Sequence, residues 1–411
     1  MTDGSTRPRI PIPLRILLGA YFLNAFATVG TVTIVGKQVF DMTGRELDLG
    51  LIGLAEFLPM ALLAPFTGSL ADRFDRRVMF GIGLAGDVLV SVAMFVYIRT
   101  DPTSVAPIFG LMVLFAITRS LGTPAARAIT IDMAPPDVLE RVIPLRSVAF
   151  QAGIITGPLA LAWVFVVDIA APYLVAAGAY ALAIVIVACM PKLDTRKLGT
   201  RGGLQALRDA REGLRFIRRQ PVVFGAISLD LFAVLFGGLV ALLPAIAEKR
   251  LGVGAVGLGG LRAAVGAGSA VVALGLSIRP VRRHVGKVLL AVIALFGLMH
   301  VVVAVTTSYA VAIVALVVAA GSDQISVYIR STLVPLATPE DMRGRVLAVE
   351  NVFIGASNEL GAVESGLTAA AFGLVGAMLF GSVGTLAVVA IWWKYFPALR
   401  DVDSFAEVQP P

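Results

Sequence analysis

Long apolar runs recur from one end of this chain to the other, and no other feature limits the fold as tightly. A run of ~20 apolar residues spans the hydrocarbon core of a bilayer as a helix. The chain has 411 residues, 58% hydrophobic and 15% charged, against roughly 25% charge in soluble domains. A water-soluble fold could not bury so much apolar surface, because even a large globule exposes a good share of its residues. This argues against a large soluble α/β enzyme rich in Ala and Val. Charged, Pro and Gly breaks divide the runs into twelve predicted spans: 15–37, 48–71, 78–98, 105–133, 143–167, 170–190, 222–247, 254–278, 287–305, 310–335, 346–371 and 374–396. The two shortest connections precede the helices that follow Pro172 and Gly373. The segment before residue 15 lacks the architecture of a signal peptide, and the run after it is too long for one, so it is expected to be the first membrane helix.

Loop charges set the orientation. With the N-terminus in the cytoplasm, the inner segments hold Arg7, Arg9 and Arg15; Arg73, Arg76 and Arg77; Arg141 and Arg146; nine basic residues from Lys192 to Arg219; Arg279, Arg282, Arg283 and Lys287; Arg343 and Arg345; and Lys394 and Arg400. The outer segments hold only Lys37, Arg45, Arg99, Lys249 and Arg250. The expected location is the inner (plasma) membrane, with both termini cytoplasmic. The net charge of +7 then belongs to loops facing anionic lipid. Nucleic acid is not an expected partner, since no aromatic residues interleave with the basic runs for base stacking. Cys189 alone cannot build a disulfide framework, and His284 and His300 leave no His-rich metal cage. No metal or cofactor is expected.

The sequence repeats itself. Arg73-Phe-Asp-Arg-Arg77 lies ~206 positions before Arg279-Pro-Val-Arg-Arg283. Arg127-Ala-Ile-Thr-Ile-Asp-Met-Ala-Pro-Pro136 lies ~203 before Arg330-Ser-Thr-Leu-Val-Pro-Leu-Ala-Thr-Pro339. Two matches at nearly one offset predict two parallel six-helix repeats about an axis along the membrane normal, with a substrate path between them. The expected divisions are an N-terminal bundle at 1–190, a cytoplasmic linker at 191–221 and a C-terminal bundle at 222–411. In the linker Leu204, Leu207, Leu214 and Ile217 recur at helical spacing among Arg208, Arg211, Arg215, Arg218 and Arg219. This pattern suits an amphipathic helix lying on the inner leaflet, or a solvated charged linker.

Three local patterns resemble the major facilitator superfamily. Gly68-Ser-Leu70-Ala-Asp72-Arg73-Phe-Asp75-Arg76-Arg77 resembles its signature loop, with Asp75 where the family usually has Gly. The resemblance implies a gate, in which Gly68 allows close helix approach and Asp72 meets a helix N-terminus or an Arg. In the second half Ile278 stands where Asp72 would be. Gly153-Ile-Ile-Thr-Gly157-Pro158 resembles the start of the antiporter motif, though Leu161 and Ala162 replace its last glycines; an ordinary small-residue contact would look the same. Arg119-Ser-Leu-Gly122 loosely resembles the family's R-x-x-x-G motif, one residue short. Leu229 to Gly238, Leu261-Arg262-Ala263 and the run from Arg330 to Gly361 resemble the enterobactin-exporter-like branch, which carries drugs and siderophores. The resemblance implies the twelve-helix major facilitator fold, an all-α membrane protein working as a monomer.

Ionisable residues inside a span are expensive and so mark candidate function. They are Glu56, Asp87, Arg119, Arg127, Asp132, Asp230, Arg262, Asp323, Arg330, Glu350, Glu359 and Glu364. Arg119 lies ~21 Å from the inner end at 1.5 Å per residue, so it needs a cavity or a carboxylate. Arg127, Asp132, Arg330 and Glu350 are close to the inner face and suit gate or loop anchors, with Arg127 and Arg330 equivalent by the repeat. Asp230 and Arg262 lie at similar depths, ~6 Å apart along the normal, and are expected to pair, either structurally or in a way that opens on protonation. Asp87, Asp230 and Glu359 are candidate proton carriers, with Arg119 and Arg262 as their cationic counterparts. Asn24, Asn351, Asn358 and Asp323 are candidates for the substrate path, or polar contacts between helices. His300 suits a hydrogen-bonded helix contact.

The expected function is proton-coupled export of a small, partly apolar molecule by alternating access. The alternatives are an uptake carrier or a lipid flippase, including one for lysophospholipids. No nucleophile, paired His or phosphate loop supports an enzyme.

Overall fold

The computed structural model describes residues 10–191 and 203–408, except for the side chains of residues 64–66, 68–73, 131, 136, 137, 140 and 203–207. Among the described residues every regular element is helical. In a bilayer this follows from the need of each backbone group for a partner within its own segment. The long helices are α1 (Ile12–Thr43), α2 (Glu46–Arg73), α3 (Arg76–Ile98), α4 (Ala106–Met133), α5 (Pro136–Val167) and α6 (Ala171–Ala188). After the connection come α7 (Gly203–Arg219), α8 (Pro221–Phe236), α9 (Gly254–Ile278), α10 (Val285–Val305), α11 (Tyr309–Leu336) and α12 (Glu340–Tyr395).

Among the described residues, ten helical segments are long and apolar enough to cross a membrane. One of them, α12, has 56 residues, or about 84 Å at 1.5 Å per residue, which is far more than one bilayer core. Gly373 breaks it, at φ 73°, a left-handed value that only glycine adopts without strain. The two arms, 340–372 and 374–395, reproduce the predicted cut between the last two spans. With α2, which packs between α4 and α12, the helices are consistent with twelve crossings.

Successive helices reverse direction, so residues 12, 73, 133, 188, 278, 336 and 395 share one side of the bundle, the terminal side. Residues 43, 98, 167, 250 and 305 share the distal side. Helix α1 packs on α5 and α6, and α3 on α4 and α6; in the second set α9 packs on α11, α10 on α11 and α12, and α8 on α12. The sets meet where α2 packs on α12 and α5 on α9. Small residues permit these approaches, as expected where lipid offers no hydrophobic drive between helices. A Cβ on Gly50 would come 2.8 Å from the Ala362 carbonyl oxygen, and one on Gly259 2.8 Å from that of Pro158.

The distal side is tied shut between the sets. Lys37 of α1 reaches Glu248 at 3.3 Å, and Lys249 reaches Glu46 of α2 at 2.7 Å. Cross-set contacts continue to mid-depth, where Gln151 Nε2 donates to the Gly266 carbonyl at 2.6 Å. Beyond that depth, toward the terminal side, Val148, Val271, Leu274 and Ile278 are exposed.

Helix α7 departs from the expectation of an amphipathic helix on the leaflet. Its Leu204 and Leu207 side chains lie outside the described residues, but Ile217 is buried in a protein cluster with Val223 and Val346. Gly213 lets α7 close on the start of α12, and Arg345 of α12 binds Asp209 at 3.2 Å and Glu212 at 2.8 Å. Protein, not lipid, covers this part of the apolar stripe.

Candidate functional site

Helix α8 supplies the wall of a central cavity by failing to stay regular. Past Phe236 the chain tightens at Gly238–Leu242, then widens at Ile246–Arg250. Irregular backbone at membrane depth is tolerated where it is covered by protein or lines a cavity. Val234, Gly237, Gly238, Ala241 and Pro244 line a space of about 400 Å³ between the two helix sets. The other walls come from α1, α2, α9, α10, α11 and α12.

Six polar side chains that the sequence singled out within the spans face this space: Glu56 of α2, Arg262 of α9, His300 of α10, Asp323 of α11, and Asn358 and Glu359 of α12. Arg119 of α4 stands behind Glu56 and donates to it at 3.1 Å. This supplies the carboxylate that a mid-membrane Arg requires. Arg119 also lies over the Phe115 ring at 5.3 Å. Arg262 lies within electrostatic reach of Glu56 and Glu359, and its Nε is buried without a hydrogen-bond partner. Glu359 comes from the opposite helix set to Glu56; a Cβ on Gly53 of α2 would sit 3.2 Å from its Oε2. Carboxylates from both sets and the Arg262 guanidinium thus converge on one cavity, with Arg119 behind Glu56.

Other candidates fall elsewhere. Asp87 is buried inside the N-terminal set, where Thr118 Oγ1 donates to it at 2.5 Å, and it is not part of the cavity wall. The Thr28 and Tyr180 hydroxyls share a hydrogen bond of 2.9 Å in the same core. Asn24 is half-buried on α1, and Asn351 is exposed on α12; neither lines the cavity. Asn351 and Asn358 each donate to a carbonyl four residues back, at 2.8 Å. His300 lines the cavity with its ring 4.1 Å from that of Phe296, a contact of rings where the sequence suggested a hydrogen-bonded helix contact.

The expected Asp230–Arg262 pair does not form. Asp230 of α8 binds Arg330 of α11 at 2.7 Å, with both side chains buried. Equal depth said nothing about which way each side chain turns around its helix, and α8 turns Asp230 toward α11. Arg330 Nε also donates to Ser326 at 3.3 Å, and Glu350 lies within electrostatic reach of the pair. Arg127, the repeat partner of Arg330, is exposed, so the two do not share a role.

In the signature loop, Gly68, Leu70, Asp72 and Arg73 close α2, and their side chains lie outside the described residues. Arg76 binds Asp132 at the end of α4 at 2.5 Å. Arg77 donates to the Met190 carbonyl at 2.5 Å. Asp75 caps α3, accepting from the Arg77 backbone at 2.9 Å and its guanidinium at 2.8 Å. Those hydrogen bonds from Arg77 hold the Asp75 carboxyl below its ordinary value of 3.8. The Gly153 and Gly157 positions of the other motif press α5 on the backbone of α1 at Phe22 and Phe26, while the Pro158 carbonyl faces α9.

The cavity residue that sequence reasoning ranked too low is Glu56. Its signal was present: an acid in mid-span, in a helix whose neighbour carries the deep Arg119.

The model of the Major Facilitator Superfamily matches residues 17–362. An uncharacterized MFS-type transporter, YfiS, of Bacillus subtilis is 28% identical over 203 residues, 48% of this chain and 46% of that protein. Macrolide efflux protein A of Streptococcus pyogenes is 27% identical over 220 residues, 50% of this chain and 51% of that protein. The match with this chain thus spans about half the length of these curated relatives. A crystal structure of a POT family transporter superposes with a TM-score of 0.73 at 12% identity, covering 94% of this chain and 96% of the other; it shows a shared fold.

Proposed function

The chain belongs to the Major Facilitator Superfamily, and we propose that it is a transporter, not an enzyme, exporting a small, partly apolar molecule across the inner (plasma) membrane in exchange for protons. Two six-helix units, residues 1–190 and 222–411, rock against each other about the linker at 191–221. The Arg-rich loops put the terminal side and both termini in the cytoplasm. The distal ion pairs of Lys37 and Lys249 then close the outer face, and the cavity is loaded from the cytoplasm. Gly68, Leu70, Asp72 and Arg73 gate that side, on a loop that Arg76 and Arg77 anchor. Gly153, Gly157 and Pro158 hold α5 between α1 and α9.

One observation carries this proposal: Glu56, Arg262 and Glu359 meet in a single cavity from opposite helix sets. With Arg119 and Asp323 they make three carboxylates against two guanidiniums. In a low-dielectric site the odd carboxylate is costly as an anion, so a proton there restores balance. Glu359 is the carrier we assign, because Glu56 is held by Arg119. Asp87 and Asp230, each engaged within one helix set, serve structure instead. A bound proton biases the units toward one orientation through its differential affinity. The macrolide efflux relative supports export, and the enterobactin-exporter-like motifs extend the cargo class to siderophores.

Everted vesicles test this with candidate macrolides, dyes and siderophores. ATP-independent uptake driven by an imposed proton gradient is expected, with loss in Glu359→Gln and on adding an uncoupler. Uptake indifferent to the uncoupler would sink the proton coupling. A second proposal, lysophospholipid transport, draws on an apolar groove of about 620 Å³ between α2 and α4, lined by Leu54, Leu58, Leu62, Phe109 and Val113. Preferential movement of lysophospholipid in reconstituted liposomes would favour it over export of drugs.

A further inference from the structure

Each half places one acid and one Arg at similar depths around the cavity, with the signs exchanged between corresponding helices. At the offset of ~206, Glu56 of α2 corresponds to Arg262 of α9; in the register that pairs Arg127 with Arg330, Arg119 of α4 falls at Ser322 of α11, one residue before Asp323. Helices α2 and α4 pack together, as do α9 and α11. The N-terminal acid–Arg pair is closed at 3.1 Å. Its C-terminal counterpart is open: both members line the cavity, and the Arg262 Nε is buried without a partner. On the terminal side Asp323 faces Asp230 and Arg330, which already bind each other at 2.7 Å. Arg262 faces Glu56, which Arg119 holds, and Glu359.

An open pair of opposite charges in a desolvated cavity is a receptor for a molecule that carries both signs. We propose that the cargo is zwitterionic, with its anionic group bound by Arg262 and its cationic group by Asp323, aided by Glu359. A guanidinium binds carboxylate or phosphate through parallel hydrogen bonds, which fixes the orientation of the cargo. A cationic group and a proton exclude each other on the same carboxylates, as exchange requires. The inference rests on the export reading for its cargo site and adds the chemical class.

Four dansyl compounds with one apolar body test it on the purified full chain in nanodiscs: dansylcadaverine as cation, dansylglycine as anion, dansylamide as neutral and Nε-dansyl-lysine as zwitterion. The zwitterion is expected to bind at least about tenfold more tightly than either singly charged probe, the usual gain from a hydrogen bond to a charged group. Arg262→Gln is expected to lower its affinity to that of dansylcadaverine, and Asp323→Asn to that of dansylglycine. Arg262→Lys guards against a folding defect and is expected to keep a preference. Equal binding of zwitterion and cation, or no binding by any probe to protein that melts cooperatively, overturns the inference. The export reading fails separately: zwitterion preference without proton-driven uptake leaves the charge class standing, and proton-driven uptake of the cation alone leaves export standing.

Discussion

The two halves of the chain share a repeat, yet they join corresponding helices by different chemistry. In the C-terminal half, Asp230 and Arg330 tie α8 to α11 by an ion pair whose side chains are 6% and 4% exposed. The corresponding N-terminal residues are Asn24 and Arg127, and Arg127 is exposed. There the junction of α1 with α4 is made by the Tyr21 hydroxyl, which donates to the Ala126 carbonyl at 2.5 Å and shares a bond of 2.9 Å with Thr130. One half is held by neutral hydrogen bonds and the other by buried charge. Toward the cavity the contrast reverses: the N-terminal pair Glu56–Arg119 is closed and the C-terminal pair Arg262–Asp323 is open. The repeat preserves helix directions and depths, while the charges are free to be reassigned.

The contrast breaks most visibly at Arg330. Arg330→Gln leaves Asp230 buried without its partner, and losing one member of such a pair costs about 3–5 kcal/mol. Reversible denaturant titration of the purified protein is expected to show that loss. Arg127→Gln, at the corresponding exposed position, is expected to change stability by no more than about 0.5 kcal/mol. Adding Asp230→Asn to Arg330→Gln removes the stranded charge and is expected to restore most of the deficit. Equal effects of Arg330→Gln and Arg127→Gln would erase the distinction between the halves.

A smaller effect sharpens the cavity comparison. Glu56 and Arg119 touch, but Arg119 is about a third exposed, so solvent weakens the pair. A double-mutant cycle with Glu56→Gln and Arg119→Gln is expected to give a coupling of about 0.5–1 kcal/mol. The corresponding cycle with Arg262→Gln and Asp323→Asn is expected to give a coupling near zero without cargo, because that pair is open. A sizeable coupling in both would mean that the C-terminal pair also closes in the empty protein.

Features that depend on position along the chain were legible in the sequence. The span at 254–278 and the break at Gly373 came from composition, and Arg119 announced a carboxylate because a lone Arg at its depth is untenable. Features that depend on rotation about a helix axis were not. Asp230 was matched to Arg262 by depth, yet its azimuth on α8 turns it to Arg330. Amphipathicity in α7 marked an apolar face, but whether lipid or protein covers that face depends on the start of α12, where Val346 packs on Ile217. Asp75 illustrates a third limit. Against the family pattern it is a departure from Gly, and only the geometry at the start of α3 shows it to be a helix cap.

That cap sets the smallest contrast between the halves. Helix α3 begins with its own side-chain cap, Asp75. At the corresponding start of α10, His284 takes a left-handed φ of 56°, and the next two backbone N–H groups donate to the Asp403 and Val402 carbonyls from the end of the chain. There the Asp403 carboxylate also accepts from the His284 backbone N–H at 3.2 Å, beside the two backbone carbonyls. Asp75→Ala is therefore expected to cost about 0.5–1 kcal/mol, in the lower part of the range of cap effects because solvent screens the site. Its pH dependence has a definite sign. The Arg77 hydrogen bonds lower the Asp75 carboxyl below its ordinary value of 3.8, so its stabilisation is complete above that value. It is lost as pH falls through the lowered folded value. Stability measured from about pH 6 to pH 2 should fall less steeply at the acid end in Asp75→Ala than in the parent. Identical acid limbs in the parent and in Asp75→Ala would show that the capping carboxylate carries no stabilising charge, and would remove Asp75 from the set of residues by which the two halves differ.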